Sequence, residues 1–257
     1  MLRLPSWLLA SLMVLFASAL PSLAGGGSTG APSSWCPAAE APSFALPATR
    51  AALRERRPLT VLAFGSSSTE GVGATAPGNT YPARLEDRLR AALPGVPLAV
   101  LNRGRGGEDV AEMLLRLDRE VLAAAPTLVV WQAGANAVLK GMSPEAFRAA
   151  MAGGIARLQA AGTDLVLMDS QRAPRILASP NHPVFDALMR DLAADQQVPL
   201  FSRAALMRDW EALGAPPAEF LGEDGLHHND RGYDCLAAAL AESVLEALHP
   251  PALVAGR

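Results

Sequence analysis

Only two cysteines, Cys36 and Cys235, occur in the 257 residues. Thiolate-rich metal centres are therefore excluded, and at most one internal disulfide is available. Positive charge is not in excess either, since 22 lysines and arginines face 25 aspartates and glutamates. That balance gives electrostatics no case for nucleic acid as the main partner. Past the first two dozen residues no apolar run reaches the ~20 residues that a spanning helix needs, and no internal repeat is present. The serine-rich turn at 65–73 lacks the Gly-Lys-Ser/Thr ending of a phosphate cradle. What is there is a chain half hydrophobic and only 18% charged, enough to bury one α/β core without a second domain.

The first 24 residues read as a secretory signal peptide. Arg3 precedes an uncharged apolar run from Trp7 to Leu20, and Ser22-Leu23-Ala24 is a small-x-small cleavage pattern, which places the cut after Ala24. The alternative reading, an uncleaved membrane anchor, needs ~20 apolar residues, and the run falls short of that. Removing it takes away Arg3 and moves the formal charge from −3 to −4. The product would be secreted or periplasmic, in an oxidising compartment where Cys36 and Cys235 can pair. Residues 25–48, rich in Gly, Ser, Pro and Ala, read as a flexible linker or N-terminal arm, with the folded domain over 49–257.

From there, apolar runs bounded by turns alternate with helix-period segments, the pattern of βαβ units and a parallel sheet. Strands are predicted at 59–65, 98–102, 128–132, 164–170 and 198–201. Helices are predicted at 81–93, 108–124, 143–161, 184–196 and 230–247, with a long proline-bearing loop over 171–183. In such a sheet ligands bind beyond the carboxyl ends of the strands. Four segments fall there or just before the last helix: 65–71, 102–107, 134–136 and 224–227.

Their chemistry is complementary. A serine hydroxyl becomes a nucleophile when a base takes its proton, and a carboxylate fixes that base's tautomer. Ser67, His227 and Asp224 can fill these roles, since an aspartate three residues before a histidine can fold back to Nδ1. Backbone N–H groups of Ser67 and Gly107, with the Asn136 amide, can hold an oxyanion. Ser66 and Ser68 stand as rival nucleophiles and His228 as a rival base. Asp224, His227, His228 and Asp230 could alternatively be read as a metal cluster, but their spacing fits no standard zinc pattern, and no metal or organic cofactor is expected.

Taken together, the four segments resemble the signature blocks of the SGNH hydrolases, the GDSL esterase/lipase family. Gly65-Ser66-Ser67-Ser68-Thr69-Glu70-Gly71 is similar to its Gly-Asp-Ser-x-Thr-x-Gly block, with Ser67 at the nucleophile position. Gly107 falls on the oxyanion glycine, Gly134 and Asn136 on Gly-x-Asn, and Asp224 and His227 on Asp-x-x-His. The chain departs from the pattern at Ser66 and Ala137, each standing where the family has aspartate, and neither is a triad or oxyanion position. The resemblance implies a three-layer α/β/α, flavodoxin-like fold around a five-stranded parallel sheet. It also implies a serine esterase that removes acetyl or other short acyl groups from glycans or small-molecule esters.

A lysophospholipase or thioesterase would follow if the 171–183 loop formed an apolar slot. An acyltransferase with the same triad, and an inactive glycan-binding module on this fold, are further readings. Arg103, Arg105, Gln171 and Arg172 are candidate substrate contacts. Arg175 begins the same loop with Gln171 and Arg172 and is a candidate pocket-lining residue; His182 and His249 belong to no constellation. Trp131 reads as core and Trp210 as a candidate sugar-stacking surface.

Overall fold

The computed structural model describes residues 35–38 and 40–249. The expected signal peptide, its cleavage after Ala24 and the first part of the linker lie outside the described residues. Five strands form one parallel sheet: β1 (Leu59–Gly65), β2 (Leu98–Gly104), β3 (Leu128–Gln132), β4 (Asp164–Met168) and β5 (Leu200–Phe201), in the order β2-β1-β3-β4-β5. This is the flavodoxin-like, doubly wound order, whose direction reverses between β1 and β3. The central strands β3 and β4 are buried at every position, whereas edge strand β2 is largely half-exposed. Uninterrupted apolar runs such as Leu128-Val129-Val130-Trp131 suit strands covered by helices on both faces.

The helices are α1 (Pro47–Arg54), α2 (Ser67–Glu70), α3 (Tyr81–Ala92), α4 (Val110–Leu114), α5 (Ala135–Lys140), α6 (Pro144–Ala160), α7 (Pro174–Leu177), α8 (His182–Asp195), α9 (Arg203–Ala212) and α10 (Asp230–Leu248). Ser143 caps α6 by accepting from Ala146 N at 3.2 Å, with Pro144 in the first turn, as the sequence predicts. No helix among the described residues is long and apolar enough to cross a membrane.

The predicted helix over 108–124 is broken. Asp109 and Glu112 form a capping box at the start of α4, but the chain then passes through wide π turns at Leu117–Val121 and a 3₁₀ turn at Leu122–Ala124. Val110, Leu117 and Val121 are still buried. Between them Arg116 turns inward and Leu115 is left 88% exposed, an arrangement that a regular helix with one apolar face does not give.

The described residues of the expected N-terminal arm pack on the domain, and α1 starts at Pro47. Cys36 and Cys235 form the expected disulfide, with Cα atoms 5.4 Å apart. Phe44 meets Phe201 edge to face, Leu46 is buried, and the Asp164 carboxylate accepts from Ala48 N, Thr49 N and Thr49 Oγ1 at the start of α1. Composition alone hides this docking, because the ties are made by single residues scattered through a Gly/Ser/Pro/Ala-rich stretch. Trp210 also departs from the surface reading: it is 2% exposed and packs on Phe220 with centroids 4.4 Å apart.

Candidate active site

The chain leaves β1 at Gly65 and turns at once into α2. Gln132, the last residue of the neighbouring β3, organises that turn. Its Oε1 accepts from Ser66 N at 2.9 Å, Ser66 Oγ at 3.1 Å and Thr69 Oγ1 at 3.2 Å. Buried polar groups need such partners, and here three of them converge on one oxygen. Ser66 and Ser68 are 2% and 1% exposed, while Ser67 is only partly buried. Exposure therefore separates the three serines: only Ser67 is partly open to solvent.

The opposite half of the site comes from the other end of the chain. Asp224 accepts through Oδ1 from Leu226 N at 2.9 Å and His227 N at 3.0 Å, which folds the loop so that Oδ2 lies 2.5 Å from His227 Nδ1. His227 Nε2 then lies 2.8 Å from Ser67 Oγ. Partial burial opposes ionisation of Asp224, but the bonds from the His227 ring and the two backbone N–H groups outweigh it and bring the carboxyl down to about 2.

The segment after α2 clamps these halves together. Asp230, in the first turn of α10, accepts from Thr75 N, Thr75 Oγ1 and Asn79 Nδ2, and Tyr233 donates to the Val72 carbonyl at 2.6 Å. His228 points away: it is fully buried and its Nδ1 meets the Phe220 carbonyl at 3.0 Å. Burial and the nearby Arg203 charge push its pKa down to about 3, with the Phe220 bond acting the other way. Of the two histidines, only His227 reaches the serine. Asp224 and His227 bond each other, while His228 and Asp230 bond to other partners, and no group of three or more metal-type ligands occurs among the described residues.

Gly106 passes beside Ser67, and Gly107 follows it. A Cβ on Gly106 would lie 3.9 Å from Ser67 Cβ, and Gly107 holds φ at +78°, a left-handed value that favours glycine. Asn136 donates through Nδ2 to the Glu108 carbonyl at 2.8 Å, leaving its second amide hydrogen free. The loop is pinned from behind by Arg116, which the sequence reading passed over. Its guanidinium is 3% exposed and donates to Glu108 Oε2 at 2.7 Å, Glu120 Oε2 at 3.0 Å and the Gly65 carbonyl at 3.2 Å.

The four candidate substrate contacts are placed differently. Arg103 follows Asn102 on β2 and so projects to the other face of the sheet, toward a surface cleft with Arg119 and Glu120. Arg105 is occupied by Glu120 at 3.0 Å and Glu108 at 3.5 Å. Gln171 is buried and donates to the Leu226 carbonyl at 2.8 Å, so it supports the His227 loop from below. Arg172 is mostly covered and lies 3.9 Å from Glu211.

The model of the non-GDSL lipase-like family matches residues 33–250. Among solved structures the chain is similar to a lipase/acylhydrolase from Enterococcus faecalis, at 24% identity and TM-score 0.63, over 72% of this chain and 95% of that one. It is also similar to an acetylxylan esterase from Geobacillus stearothermophilus, at 19% identity and TM-score 0.61, over 72% and 94%. For the protein named TesA the values are 25% identity and TM-score 0.61, over 74% and 99%. No curated protein gives a significant sequence match.

Proposed function

The chain belongs to the non-GDSL lipase-like family, as a carboxylic ester hydrolase of the SGNH type, and on that premise we propose that it is an exported serine esterase removing short acyl groups from glycans. The observation that carries the chemistry is the single line Asp224 Oδ2, His227 Nδ1, His227 Nε2, Ser67 Oγ, with contacts of 2.5 and 2.8 Å at its two hydrogen bonds. His227 takes the Ser67 proton as Oγ attacks the ester carbonyl. The oxyanion is held by Ser67 N–H, Gly107 N–H and the free Asn136 amide hydrogen, donors worth ~3 kcal/mol each in a transition state.

Collapse of the intermediate breaks the bond to the leaving oxygen, which receives its proton from His227. Water then attacks the acyl-enzyme, His227 takes the water's proton, and the second collapse returns a proton to Ser67 and releases the acid. Asp224 stays ionised throughout and fixes the imidazole tautomer.

The short-acyl reading draws support from the 171–183 loop, where Ala173 and Ile176 are buried rather than lining an open slot. The fold's likeness to an acetylxylan esterase points the same way. Export is supported by the apolar N-terminal run and by the disulfide.

The test is a p-nitrophenyl ester series from acetate to palmitate on residues 25–257, with Ser67→Ala in parallel. Turnover should peak at the short acyl end and vanish in the variant, and release of acetate from acetylated glycans should follow. A peak at palmitate would instead assign the protein to long acyl chains, and full activity in Ser67→Ala would overturn the serine mechanism.

A further inference from the structure

The segment that leaves β4 is tied to both sides of the catalytic centre. Gln171 donates to the Leu226 carbonyl, and Arg175 N, in the first turn of α7, donates to the Gly225 carbonyl at 3.3 Å, so it is joined to the 224–227 loop at two points. α7 also packs against α5, which carries Asn136. Arg172 and Arg175 therefore stand beside the loop that carries the base.

From there a line of cations runs away from the site over α9 and one flank of α8. Arg172 N donates to Met207 Sδ at 3.3 Å and its guanidinium lies 3.9 Å from Glu211, so it rests on α9 next to Arg208, which shares a face with Glu211 three residues on. On α8, His182, Asp186 and Arg190 are spaced by four and form one stripe. Burial raises the pKa of the half-buried Asp186, and His182, Arg190, Arg208 and Arg172 act the other way, which places all four around that one carboxylate. Both helices follow strands of the parallel sheet, so each starts near the carboxyl edge where Ser67 and His227 lie. Arg208 is then roughly 8 Å along α9 and Arg190 roughly 12 Å along α8.

Few acids answer these charges. Arg175, Arg190 and Arg208 are exposed, and their side chains make no hydrogen bond or ion pair among the described residues. Asp191 and Asp195 share the other flank of α8, where Asp195 pairs with Arg148 of α6, and Asp209 lines a separate cleft with Glu40 and Glu242. The four arginines are left with Asp186 and Glu211, a positive strip on a chain whose formal charge is −3.

We propose that this strip holds an acidic glycan, with carboxylate-bearing sugars lying along Arg175, Arg172, Arg208 and Arg190 while an acyl ester of the same chain reaches Ser67. The inference rests on the serine-esterase reading and deepens it by naming the class of polymer. A guanidinium pairs with a carboxylate through two parallel hydrogen bonds, and charges repeated along a glycan meet cations repeated along the surface. A neutral glycan leaves those arginines in water.

The test measures binding and turnover separately. Ser67→Ala should bind polygalacturonate at low salt and should not bind dextran. A unit charge ~7 Å away in a water-like medium changes an affinity by about threefold, so adding Arg190→Ser and Arg208→Ser should weaken the polygalacturonate complex by about tenfold. The effect should shrink in high salt. In the active enzyme, the same pair of substitutions should lower kcat/KM on acetylated polygalacturonate, divided by kcat/KM on p-nitrophenyl acetate, by a similar factor. That ratio is internal to each protein, so a partly misfolded variant still reports it. Arg54→Ser with Arg56→Ser removes the same charge where α1 leads into β1, at the other edge of the sheet, and should leave the ratio within twofold.

Equal binding of dextran and polygalacturonate, an equal fall in the Arg54 and Arg56 control, or binding to phosphatidylglycerol vesicles without binding to polygalacturonate would overturn the strip as a glycan site. Polygalacturonate binding that depends on Arg190 and Arg208, with no turnover of any acyl ester by the wild type, would take down the esterase reading and leave the strip in place.

Discussion

Replacing Arg116 with methionine keeps much of the side-chain volume and removes the fork that pins the oxyanion loop. In the wild type that fork satisfies Glu108, Glu120 and the Gly65 carbonyl at once, and its Cζ lies over the Phe64 ring, 4.7 Å from the centroid. Breaking a buried ion pair costs ~3–5 kcal/mol because it leaves a desolvated charge behind. The orphaned carboxylates here retain Arg105, and Glu120 also keeps Arg119, so about 2–3 kcal/mol is expected.

For a domain of this size that is a Tm lowered by about 4–12 °C. Glu108 would also loosen, and with it the carbonyl that orients Asn136 and the neighbouring Gly107. Because those donors act on the transition state, kcat should fall by at least about tenfold with little change in KM. Arg116→Lys, which keeps the charge without the fork, should fall between wild type and methionine. Arg119→Met removes a 77% exposed partner of the same Glu120 and should shift stability by less than about 0.5 kcal/mol. Thermal melts and steady-state kinetics decide it. A lowered Tm with wild-type kcat would refute the positioning argument, and an unchanged Tm would refute the account of the buried ion network.

Asp224→Asn should lower kcat by about 10³–10⁴-fold while leaving the fold intact by circular dichroism, since the amide favours the wrong tautomer of His227. Burial raises the pKa of Asp169 to about 6, against bonds from Ser202 and Ala204 N that act the other way. The folded state then holds a proton that the unfolded state has lost, so this contribution is fully present below pH 3.8 and disappears as pH rises through about 6. Urea melts from pH 3.5 to 7 should show a fall of about 3 kcal/mol in wild type that Asp169→Asn lacks, and parallel curves would refute the shift. Reduction, or Cys36→Ser, reopens a loop spanning 199 residues and should cost about 3–5 kcal/mol, read as the change in urea midpoint.

The sheet was legible because its strands are buried runs of apolar residues between turns, and 59–65 and 128–132 were bounded to the residue. Ser67, Asp224 and His227, which the structure brings into one hydrogen-bonded line, stood out because of local spacing, Ser67 just after a strand and the other two three apart before α10. Arg116 and Gln132 did not, since their importance comes from burial against distant partners, which no local spacing records. One signal was available for Gln132: it is a polar residue closing the apolar run Leu128-Val129-Val130-Trp131, where a buried amide must find partners. The short α2 and α5 escaped prediction because four to six residues carry no helical period, and α9 was missed although Ser202 caps it. Of the four substrate candidates only Arg103 lies on a strand, where the pleat turns it to the face opposite Asn102, an orientation that its place beside a motif does not record.

Cys36 and Cys235 stand 199 positions apart, so the first is made long before the second. A chain emerging from its N-terminus therefore presents a single thiol until α10 has followed, and no internal pairing can form on the way. With no third cysteine in the sequence, there is no wrong internal partner to sort out afterwards. The crosslink records synthesis as far as α10: a copy that stops before Cys235 cannot acquire it.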